Sequence, residues 1–344
     1  MAKKKACALL MNDMHIGKNS IVEFQMNWDE ALSICYQHGV DEIIIGGDLW
    51  LSRSAQSLDV LLAVKHAISK AHSLGINLLI AEGNHDLVDQ ENIEGYSHIF
   101  DTFSNVEVVD DYVIRRYGVD VHLYVMSYFP ENGSFIKRYN EMLDAHYDPQ
   151  QYNVLYIHEG INGAIQSAND KELPAELFKD FNAVLVGHYH DRCAIEGTNI
   201  EYIGSSRQHN FGEDEEKGYT LLYNDGTYEF IKNKVNTRYC TVDIEASDID
   251  SDFYKELKEA DSLYRIKVRV HCKSSAEAST VDKTKLLDAG VVKVEIVTHE
   301  TVSSTEDKDV SAKFDKTGIQ NEYQVFCEQK GISHKTGLSY LKRV

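Results

Sequence analysis

The chain has 344 residues, a length that suits one large α/β domain with an appendage, or two domains, and excludes a large multidomain protein. Apolar residues make up 43% and charged residues 26%, an ordinary globular composition that excludes wholesale disorder. The 35 basic and 55 acidic side chains give a formal charge of −20, which argues against a protein that binds a polyanion by surface charge alone. The six cysteines contain no C-x-x-C pair and indicate a reducing compartment.

The N-terminus only superficially resembles a secretion signal. Lysines at residues 3–5 precede an apolar run over 6–11, but Asn12 and Asp13 interrupt the run and no cleavage-type ending follows. No stretch approaches about eighteen uninterrupted apolar residues, the length typical of a membrane-spanning helix. We therefore expect a soluble protein of the cytoplasm, or of the host cytoplasm if the chain comes from a bacteriophage, with no membrane partner.

Apolar runs rich in Val, Ile and Leu alternate with amphipathic stretches over about the first two hundred residues, which predicts βα alternation. Asn27 followed by Glu30 resembles a capping box and predicts a helix that stops at Gly39. Ser57 is predicted to open a second helix and Gly75 to close it. The predicted strands are 6–11, 42–45, 77–81, 121–126, 154–157 and 183–186.

The sequence changes character after residue 233. Strands are predicted at 241–245, 264–271 and 291–298, and helices at 251–260 and 283–289, which together form a small βαβαβ unit. Residues 301–309 are polar and predict a linker, followed by a helix that ends at Gly331. We therefore expect a large α/β domain over 1–233, a small α+β domain over 234–300, and a linker with a C-terminal helix over 301–344.

Five polar clusters follow predicted strands directly. Because the carboxyl ends of strands are where sites assemble in α/β sheets, we expect these clusters to converge. Asp and Asn supply hard oxygen ligands and His supplies imidazole, a mixture that suits Mn, Fe, Zn or a similar ion better than Ca or a Cys-type structural zinc. Each cluster alone is a weak signal, whereas the ordered set is a strong one. The clusters are Asp13-Met14-His15, Gly47-Asp48, Gly83-Asn84-His85-Asp86, His158-Glu159-Gly160 and Gly187-His188-Tyr189-His190.

Seven candidate ligands are too many for one ion and natural for two ions that share a carboxylate. Two metal ions about 3.5–4 Å apart are a common device for in-line displacement at phosphorus, because they activate water and stabilise the developing charge. The sequence therefore predicts hydrolysis of a phosphoester at a two-metal site.

The order D-x-H, G-D, G-N-H-D, H and G-H-x-H resembles that of the calcineurin-like metallophosphoesterases over about residues 6 to 230. The resemblance implies a sandwich of two mixed β-sheets flanked by helices, and two divalent ions, expected to be Mn²⁺, bridged by Asp48. His85 matches the histidine that this family uses to protonate the leaving oxygen or stabilise the transition state; the alternative is a structural role beside the ligands. Asp86 could equally orient a ligand or take part in chemistry. The implied ligands are Asp13, His15, Asp48 and His190 for one ion, and Asp48, Asn84, His158 and His188 for the other.

A finer resemblance is to the DNA nuclease branch of that family, the SbcD-type proteins of double-strand-break repair. It rests on the runs 46–50 with Arg53-Ser54, 202–207, 211–213 and 216–219, and on the position of the small unit. It implies a DNA exonuclease and endonuclease in repair or recombination, with residues 1–233 as catalytic domain and 234–300 as capping domain. It also implies a homodimer formed through helices of the catalytic domain, and docking of the C-terminal helix on an SMC-like, SbcC-type ATPase.

Two positions depart from the nuclease pattern. Leu51 stands three residues after the bridging aspartate, where many nuclease relatives have His or another polar residue, and no glycine precedes His158. The leucine indicates slower exonuclease action or a preference for endonuclease action. The alternative enzyme is a phosphomonoesterase or a nucleotide phosphodiesterase on the same catalytic domain. A scaffold with a vestigial metal site would lack a ligand, and none of the seven is missing.

Overall fold

The computed structural model describes residues 3–88, 94–129, 134–164 and 172–298, together with Tyr323 and Cys327. The chain divides into two compact units, residues 1–271 with 280–297 and residues 272–279 with 298–344. Apart from those two residues, the predicted linker and C-terminal helix lie outside the described part of the chain. Within that part, no helix is long and apolar enough to cross a membrane.

The elements are numbered in chain order. The strands are β1 (Ala6–Met11), β2 (Glu42–Gly46), β3 (Asn77–Ala81), β4 (Val106–Val109), β5 (Tyr112–Tyr117), β6 (Val121–Met126), β7 (Tyr152–His158), β8 (Ala183–Gly187), β9 (Cys193–Ala194), β10 (Ile200–Tyr202), β11 (Gly218–Tyr223), β12 (Tyr228–Lys232), β13 (Arg238–Glu245), β14 (Tyr264–Cys272) and β15 (Lys293–Thr298). The α-helices are α1 (Ile21–His38), α2 (Leu58–Ser73), α3 (Ser134–His146), α4 (Ser251–Glu259), α5 (Ser275–Ala278) and α6 (Lys283–Asp288).

Two six-stranded mixed sheets form the body of the first unit. The order of the first sheet is β12-β11-β1-β2-β3-β4, in which β1 to β4 are parallel while β11 and β12 are antiparallel additions. The order of the second sheet is β5-β6-β7-β8-β10-β9, with parallel pairing from β6 through β10. This architecture confirms the predicted sandwich of two mixed sheets flanked by helices.

The central strands are unbroken apolar runs in the sequence because both faces of each strand are buried in the core. In β2, Ile43 and Ile45 pack in the cluster that includes residues of α1 and α2, whereas Ile44 points into the cluster between the sheets. In β8, Val184 packs in the cluster that includes α3, while Leu185 joins the same central cluster as Ile44. Burial of both faces fixes the register of these strands. The loops that follow them are therefore held at fixed positions.

The structure confirms the second predicted helix and corrects the start of the first. Ser57 is the N-cap of α2, and Gly39 ends α1 with a φ of 64°. The first helix, however, begins at Ile21 rather than after Asn27. Asn27 is fully buried, and its amide donates to Ser206 O at 3.2 Å instead of capping a helix. The polar side chain of Asn27 makes a tertiary contact. The sequence pattern of a capping box does not distinguish such a residue from a true helix cap.

A third, three-stranded sheet has the order β13-β14-β15, and β13 pairs with β14 in parallel. Its strands agree with the predicted ones to within three residues at each end, and α4 and α6 occupy the predicted helical stretches. In the second unit, Ser274 caps the short helix α5 by accepting from Glu277 N at 3.2 Å. The domain boundaries at 233 and 300 stay predictions.

Candidate metal centre

The eight predicted site residues converge where strands of both sheets end. The loops after β1, β2 and β3 of the first sheet and after β8 of the second supply seven of them, and the last residue of β7 supplies the eighth. Parallel strands whose carboxyl ends meet at one edge explain this convergence of distant residues. The residues are Asp13, His15, Asp48, Asn84, His85, His158, His188 and His190.

One carboxylate oxygen lies among three imidazole nitrogens. Asp13 Oδ1 is 3.9 Å from His15 Nε2 and 3.8 Å from His190 Nε2. It is also 3.9 Å from His158 Nε2. The Nε2 atoms of His15 and His190 are 3.1 Å apart. These atoms point at a common region, which is the arrangement expected of ligands around an ion.

A second carboxylate faces the same region. Asp48 Oδ2 lies 3.4 Å from His158 Nε2 and 3.6 Å from His15 Nε2. The donor atoms form two groups able to hold an ion, Asp13 with His15 and His190, and Asp13 with Asp48 and His158. Asp13 therefore belongs to both groups, while Asp48, predicted as the bridge, belongs to the second and also approaches His15.

The remaining two candidate ligands lie against each other. Asn84 Oδ1 is 3.1 Å from His188 Nδ1, and the His188 ring packs edge-on to the His158 ring with centroids 5.5 Å apart. The backbone N–H of His188 also donates to Asp13 Oδ2 at 3.1 Å. The structure thus brings all seven predicted ligands together.

The loops that carry the ligands have strained backbones. Among the described residues, the non-glycine positions with positive φ are Asp13, His15, Asp48 and His188, at 51°, 44°, 53° and 92°. Left-handed backbone is costly for residues with a Cβ and is found mainly where the surroundings enforce it. Pairing between the first two loops enforces it here, because Asp13 N donates to Gly47 O and His15 N to Asp48 O, both at 3.0 Å.

Glycines let the loops pack closely behind the ligands. Gly47 has a φ of 101°, and a Cβ there would lie 2.4 Å from His158 Nδ1. A Cβ at Gly83 would lie 2.3 Å from Asp48 Oδ1, and one at Gly187 would lie 2.8 Å from His158 Nδ1. Close approach to the side chains of His158 and Asp48 therefore requires glycine at these three positions.

Buried atoms without partners show that the site fits a cation. Asp13 Oδ1 and His158 Nε2 are buried and have no hydrogen-bond partner. His158 Nδ1 lies 2.9 Å from Gly46 O, and because a carbonyl only accepts, Nδ1 carries a hydrogen and Nε2 is the ring nitrogen left to bind a cation in place of a proton. Buried polar atoms without partners are costly and need a specific explanation. A divalent ion ligated by oxygen and imidazole nitrogen supplies one.

The electrostatics of the site also indicate uncompensated negative charge. Burial lowers the pKa values of His15 and His188, the latter to about 4, and so favours their neutral, ligating form. Burial also works to lower the pKa of His158, but the Asp48 and Asp13 carboxylates outweigh it and raise that pKa. Burial works to raise the pKa of Asp48, but His158 outweighs it and lowers that pKa. A bound cation would take over the charge balance that a proton on His158 provides.

His85 stands at the cavity and is oriented by two contacts. Its backbone N–H donates to Asp48 Oδ1 at 2.8 Å, and its Nδ1 donates to Leu51 O at 3.1 Å. Its ring lies edge-on to His15, with centroids 4.8 Å apart. These contacts leave Nε2 for a substrate. Asp86 does not reach the cavity. It is fully buried and accepts backbone N–H bonds from Gly83, Asp48 and Trp50, which assigns it the orienting alternative.

A cavity of about 280 Å³ is lined by five of the seven candidate ligands. Two of its lining residues, His209 and Asn210, are absent from the sequence predictions. His209 Nε2 donates to Asp13 O at 2.8 Å, and its ring lies 5.2 Å from that of His15. Glu213, also missed, accepts from His190 Nδ1 at 2.9 Å. The one sequence signal for these residues is their place in or beside the runs after the last histidines that resemble a nuclease motif.

The family is established by comparison with known proteins. The profile of the calcineurin-like phosphoesterases matches residues 8–192, which is more than half of the chain. The family match, together with a sandwich of two mixed sheets and candidate oxygen and imidazole ligands at the strand ends, indicates a metal-dependent hydrolase. The chain belongs to the calcineurin-like phosphoesterase family, which typically binds two divalent metal ions.

Individual relatives are distant. The SbcD component of the nuclease SbcCD from Staphylococcus saprophyticus is 25% identical over 243 residues, 61% of this chain and 63% of the relative, so the chain spans less than two thirds of that protein. Protein 078R of Invertebrate iridescent virus 3, named as a candidate phosphoesterase, is 23% identical over 254 residues, 70% of this chain and 71% of the relative. The structure of nuclease MPE from Pseudomonas putida is 15% identical, covers 63% of this chain and 84% of its own, and has a TM-score of 0.28, which is too low to carry an argument.

Proposed function

We propose that this protein is a DNA nuclease that hydrolyses phosphodiester bonds with two divalent metal ions. The observation that carries the proposal is the convergence of seven oxygen and nitrogen ligands around the buried, unpartnered atoms Asp13 Oδ1 and His158 Nε2. Similarity to the SbcD component of the nuclease SbcCD supports a nucleic acid as the substrate, and the resemblance to the DNA nuclease branch implies DNA. The −20 charge is compatible with this reading, because bound cations rather than surface lysines would attract the phosphate.

We divide the proposed ligands between the two ions as the family resemblance implies. Bound ions would polarise the phosphoryl oxygen and lower the pKa of water. Carboxylate, amide and imidazole donors without thiolate suit Mn²⁺. The residues proposed to hold them are Asp13, His15, Asp48 and His190 for one ion and Asp48, Asn84, His158 and His188 for the other.

His85 is proposed to handle the leaving group. The contacts of its backbone with Asp48 and of its Nδ1 with Leu51 O fix the ring, so Nε2 faces the cavity. As a water oxygen bonds to phosphorus and the bond from phosphorus to the leaving oxygen breaks, a protonated His85 can donate its Nε2 proton to that oxygen. The proton then resides on the departing 3′ or 5′ oxygen.

Leu51 is proposed to set the balance between modes of cleavage. This residue is 52% exposed and lines the cavity, where an imidazole or other polar group would face the substrate. We expect the wild-type protein to favour endonuclease over exonuclease action. Leu51→His should raise the exonuclease rate on linear DNA without raising the rate on closed circular single-stranded DNA, and equal changes on both substrates contradict this role.

The nuclease proposal is tested with purified protein, Mn²⁺ and labelled linear and single-stranded DNA. Wild type should degrade DNA only when metal is present, and Asp48→Ala should abolish cleavage while keeping the circular dichroism spectrum of wild type. Robust turnover of a phosphoester model compound, with no cleavage of any DNA, would contradict the proposal.

That outcome would instead support the second candidate, a phosphomonoesterase or nucleotide phosphodiesterase. The observation that favours it is the similarity to the viral protein named as a candidate phosphoesterase, which covers more of this chain than the nuclease does. Comparing rates on a nucleotide monoester, a cyclic nucleotide and DNA under one metal condition separates the two candidates.

The domain and partner assignments belong to the same proposal. We propose that 1–233 is the catalytic domain, that 234–300 caps it, and that 301–344 docks on an SMC-like, SbcC-type ATPase during DNA repair or recombination in the cytoplasm. We also propose a homodimer. Co-purification of such an ATPase should be lost when residues 305–344 are deleted, whereas undiminished co-purification rules the docking out. Light scattering should show a dimer mass near twice that of one chain.

A further inference from the structure

A buried glutamate stands directly behind one of the proposed ligands. Glu213 has a side chain that is 8% exposed, and its Oε1 accepts the Nδ1 hydrogen of His190 at 2.9 Å. A carboxylate that accepts from Nδ1 leaves Nε2 of the same ring as the lone-pair atom. His190 Nε2 is the atom that lies 3.8 Å from Asp13 Oδ1 and 3.1 Å from His15 Nε2, so the free lone pair faces the proposed ion.

The backbone beside His190 is held by a second buried charge. Lys217 is fully buried, and its Nζ donates to His190 O at 2.6 Å. The same Nζ lies 3.9 Å from Glu213 Oε2 and also pairs with Asp191. Glu213 therefore fixes the ring of His190 while Lys217 fixes its main chain. Burying opposite charges is costly unless they are paired and hydrogen-bonded, and here both buried groups contact the same histidine.

Glu213 also organises the cavity wall next to that ligand. Its Oε2 accepts from His209 N at 2.9 Å, and its Oε1 accepts from Asn210 Nδ2 at 2.7 Å. His209 and Asn210 both line the cavity. One carboxylate thus connects a proposed ligand to two residues that would face the substrate.

The segment 208–213 is tied in turn to the third sheet. Gln208 Nε2 donates to Tyr239 O at 2.9 Å, and Tyr239 N donates to Gln208 Oε1 at 2.8 Å, so the side-chain amide pairs with the backbone of β13. The Phe211 ring packs edge-on to Tyr239 with centroids 5.1 Å apart, and Lys267 Nζ of β14 lies 5.6 Å from the Phe211 ring. Gln208 Nε2 also donates to Glu213 O at 2.7 Å.

We infer that Glu213 is a positioning residue that selects the tautomer and orientation of His190 for metal binding, and that β13 holds Glu213 in place through Gln208. This inference rests on the proposed assignment of His190 as a ligand. Carboxylates that support a metal-bound histidine typically contribute about 10–100-fold to metal affinity. The third sheet is therefore part of the metal site's support, although it supplies no ligand.

The test combines metal titration with histidine NMR. Calorimetric titration of the metal-free full chain with Mn²⁺ is expected to give an affinity at least about 10-fold weaker for one of two ions in Glu213→Ala. Glu213→Gln retains an acceptor without the charge and should show a smaller loss. The matched control is Glu216→Gln, which removes an exposed carboxylate paired with Lys232 and should titrate as wild type.

A merely structural glutamate would not alter the ring of His190. In ¹⁵N-histidine spectra of the metal-free chain, wild type should show His190 protonated at Nδ1, and Glu213→Ala should show a mixture of tautomers. Wild-type metal affinity together with an unchanged His190 signal in both Glu213 variants overturns the inference. Gln208→Ala should weaken the same ion by a smaller factor, and wild-type affinity in that variant overturns the link to β13.

A further variant separates this inference from the proposal beneath it. His190→Ala should bind one ion fewer than wild type. If it binds both ions with wild-type affinity, the ligand assignment itself fails. If it loses an ion while the Glu213 variants bind normally, the ligand assignment stands and only the role of Glu213 fails.

Discussion

Unusual backbone conformations occur at four of the proposed ligands, Asp13, His15, Asp48 and His188. Their positive φ values cost about 1–3 kcal/mol each in ordinary surroundings, and such strain clusters at functional sites. Here the strain turns carboxylates and imidazoles that follow different strands toward one region. We regard the strained loops as the physical reason why these side chains face one region.

The first prediction compares two glycines that both have a positive φ but differ in how much room a Cβ atom would have. Gly47→Ala should lower metal-dependent activity by about 100-fold, because its Cβ would lie 2.4 Å from His158 Nδ1 and displace that ligand. Gly39→Ala, at the end of α1, places a Cβ with no atom within 4 Å and should cost only about 1–2 kcal/mol of stability. Activity and urea unfolding are measured for both. Equal activity in the two variants would contradict the close packing assigned to the ligand loops.

The second prediction concerns the proton donor. His85→Ala should lower the rate of phosphoester hydrolysis by about 10²–10⁴-fold, the usual contribution of general acid catalysis, while Mn²⁺ affinity stays at the wild-type value. The matched control is His66→Ala, an exposed histidine of α2, which should retain full activity. A His85 variant that hydrolyses at the wild-type rate, or that fails to bind metal, argues against the assigned role.

At this scale the sequence indicates which candidate ligands converge, but it does not indicate the residues that hold them in place. Asp13 and His158 follow strands with recognisable apolar runs, so their convergence follows from the sheet topology. Glu213 and His209 lie in an irregular segment whose path depends on contacts with Tyr239 and Asp13 O. No periodicity or spacing encodes such contacts, so these residues become visible only in three dimensions.

At the scale of elements, the buried Asn27 links helix α1 to the segment before β11. Its amide donates to Ser206 O and Tyr219 OH, and its Oδ1 accepts from Ser206 Oγ at 2.8 Å. The third prediction is that Asn27→Ala costs about 1–3 kcal/mol of unfolding free energy, because buried partners lose their hydrogen bonds. Gln37→Ala, at the exposed end of the same helix, should cost less than about 0.5 kcal/mol. Urea denaturation measures the free energy of unfolding of both variants. Equal losses of stability would contradict the hydrogen bonds assigned to Asn27.

The elements found by sequence are those with strong periodicity or burial on both faces. The strands β1, β3 and β6 match their predicted bounds residue for residue. The strands β5 and β12 were not predicted, because they are only partly buried and lack an unbroken apolar run. The antiparallel strand β11 sits beside β1 although more than two hundred residues separate them, and nothing in βα alternation indicates that pairing.

For the whole molecule, we expect divalent cations to stabilise the fold, because the net charge is −20 and carboxylates are buried at the site. The fourth prediction is that saturating Mn²⁺ stabilises the fold by about 2.7 kcal/mol per ion at a concentration of 100 times Kd. Ca²⁺ should stabilise less, because imidazole is a poor ligand for that ion. Thermal unfolding with Mn²⁺, Ca²⁺ or chelator measures this. Asp48→Ala serves as the control that should not respond, and a shift in that variant equal to wild type contradicts metal binding at this site.

The central claim is that the seven strand-end residues hold two divalent ions in one cavity, and anomalous diffraction from a crystal grown with Mn²⁺ tests it most directly. Two manganese peaks about 3.5–4 Å apart are expected, one beside His15 and His190 and the other beside His158 and His188. A single peak, or peaks outside the cavity, would contradict the claim.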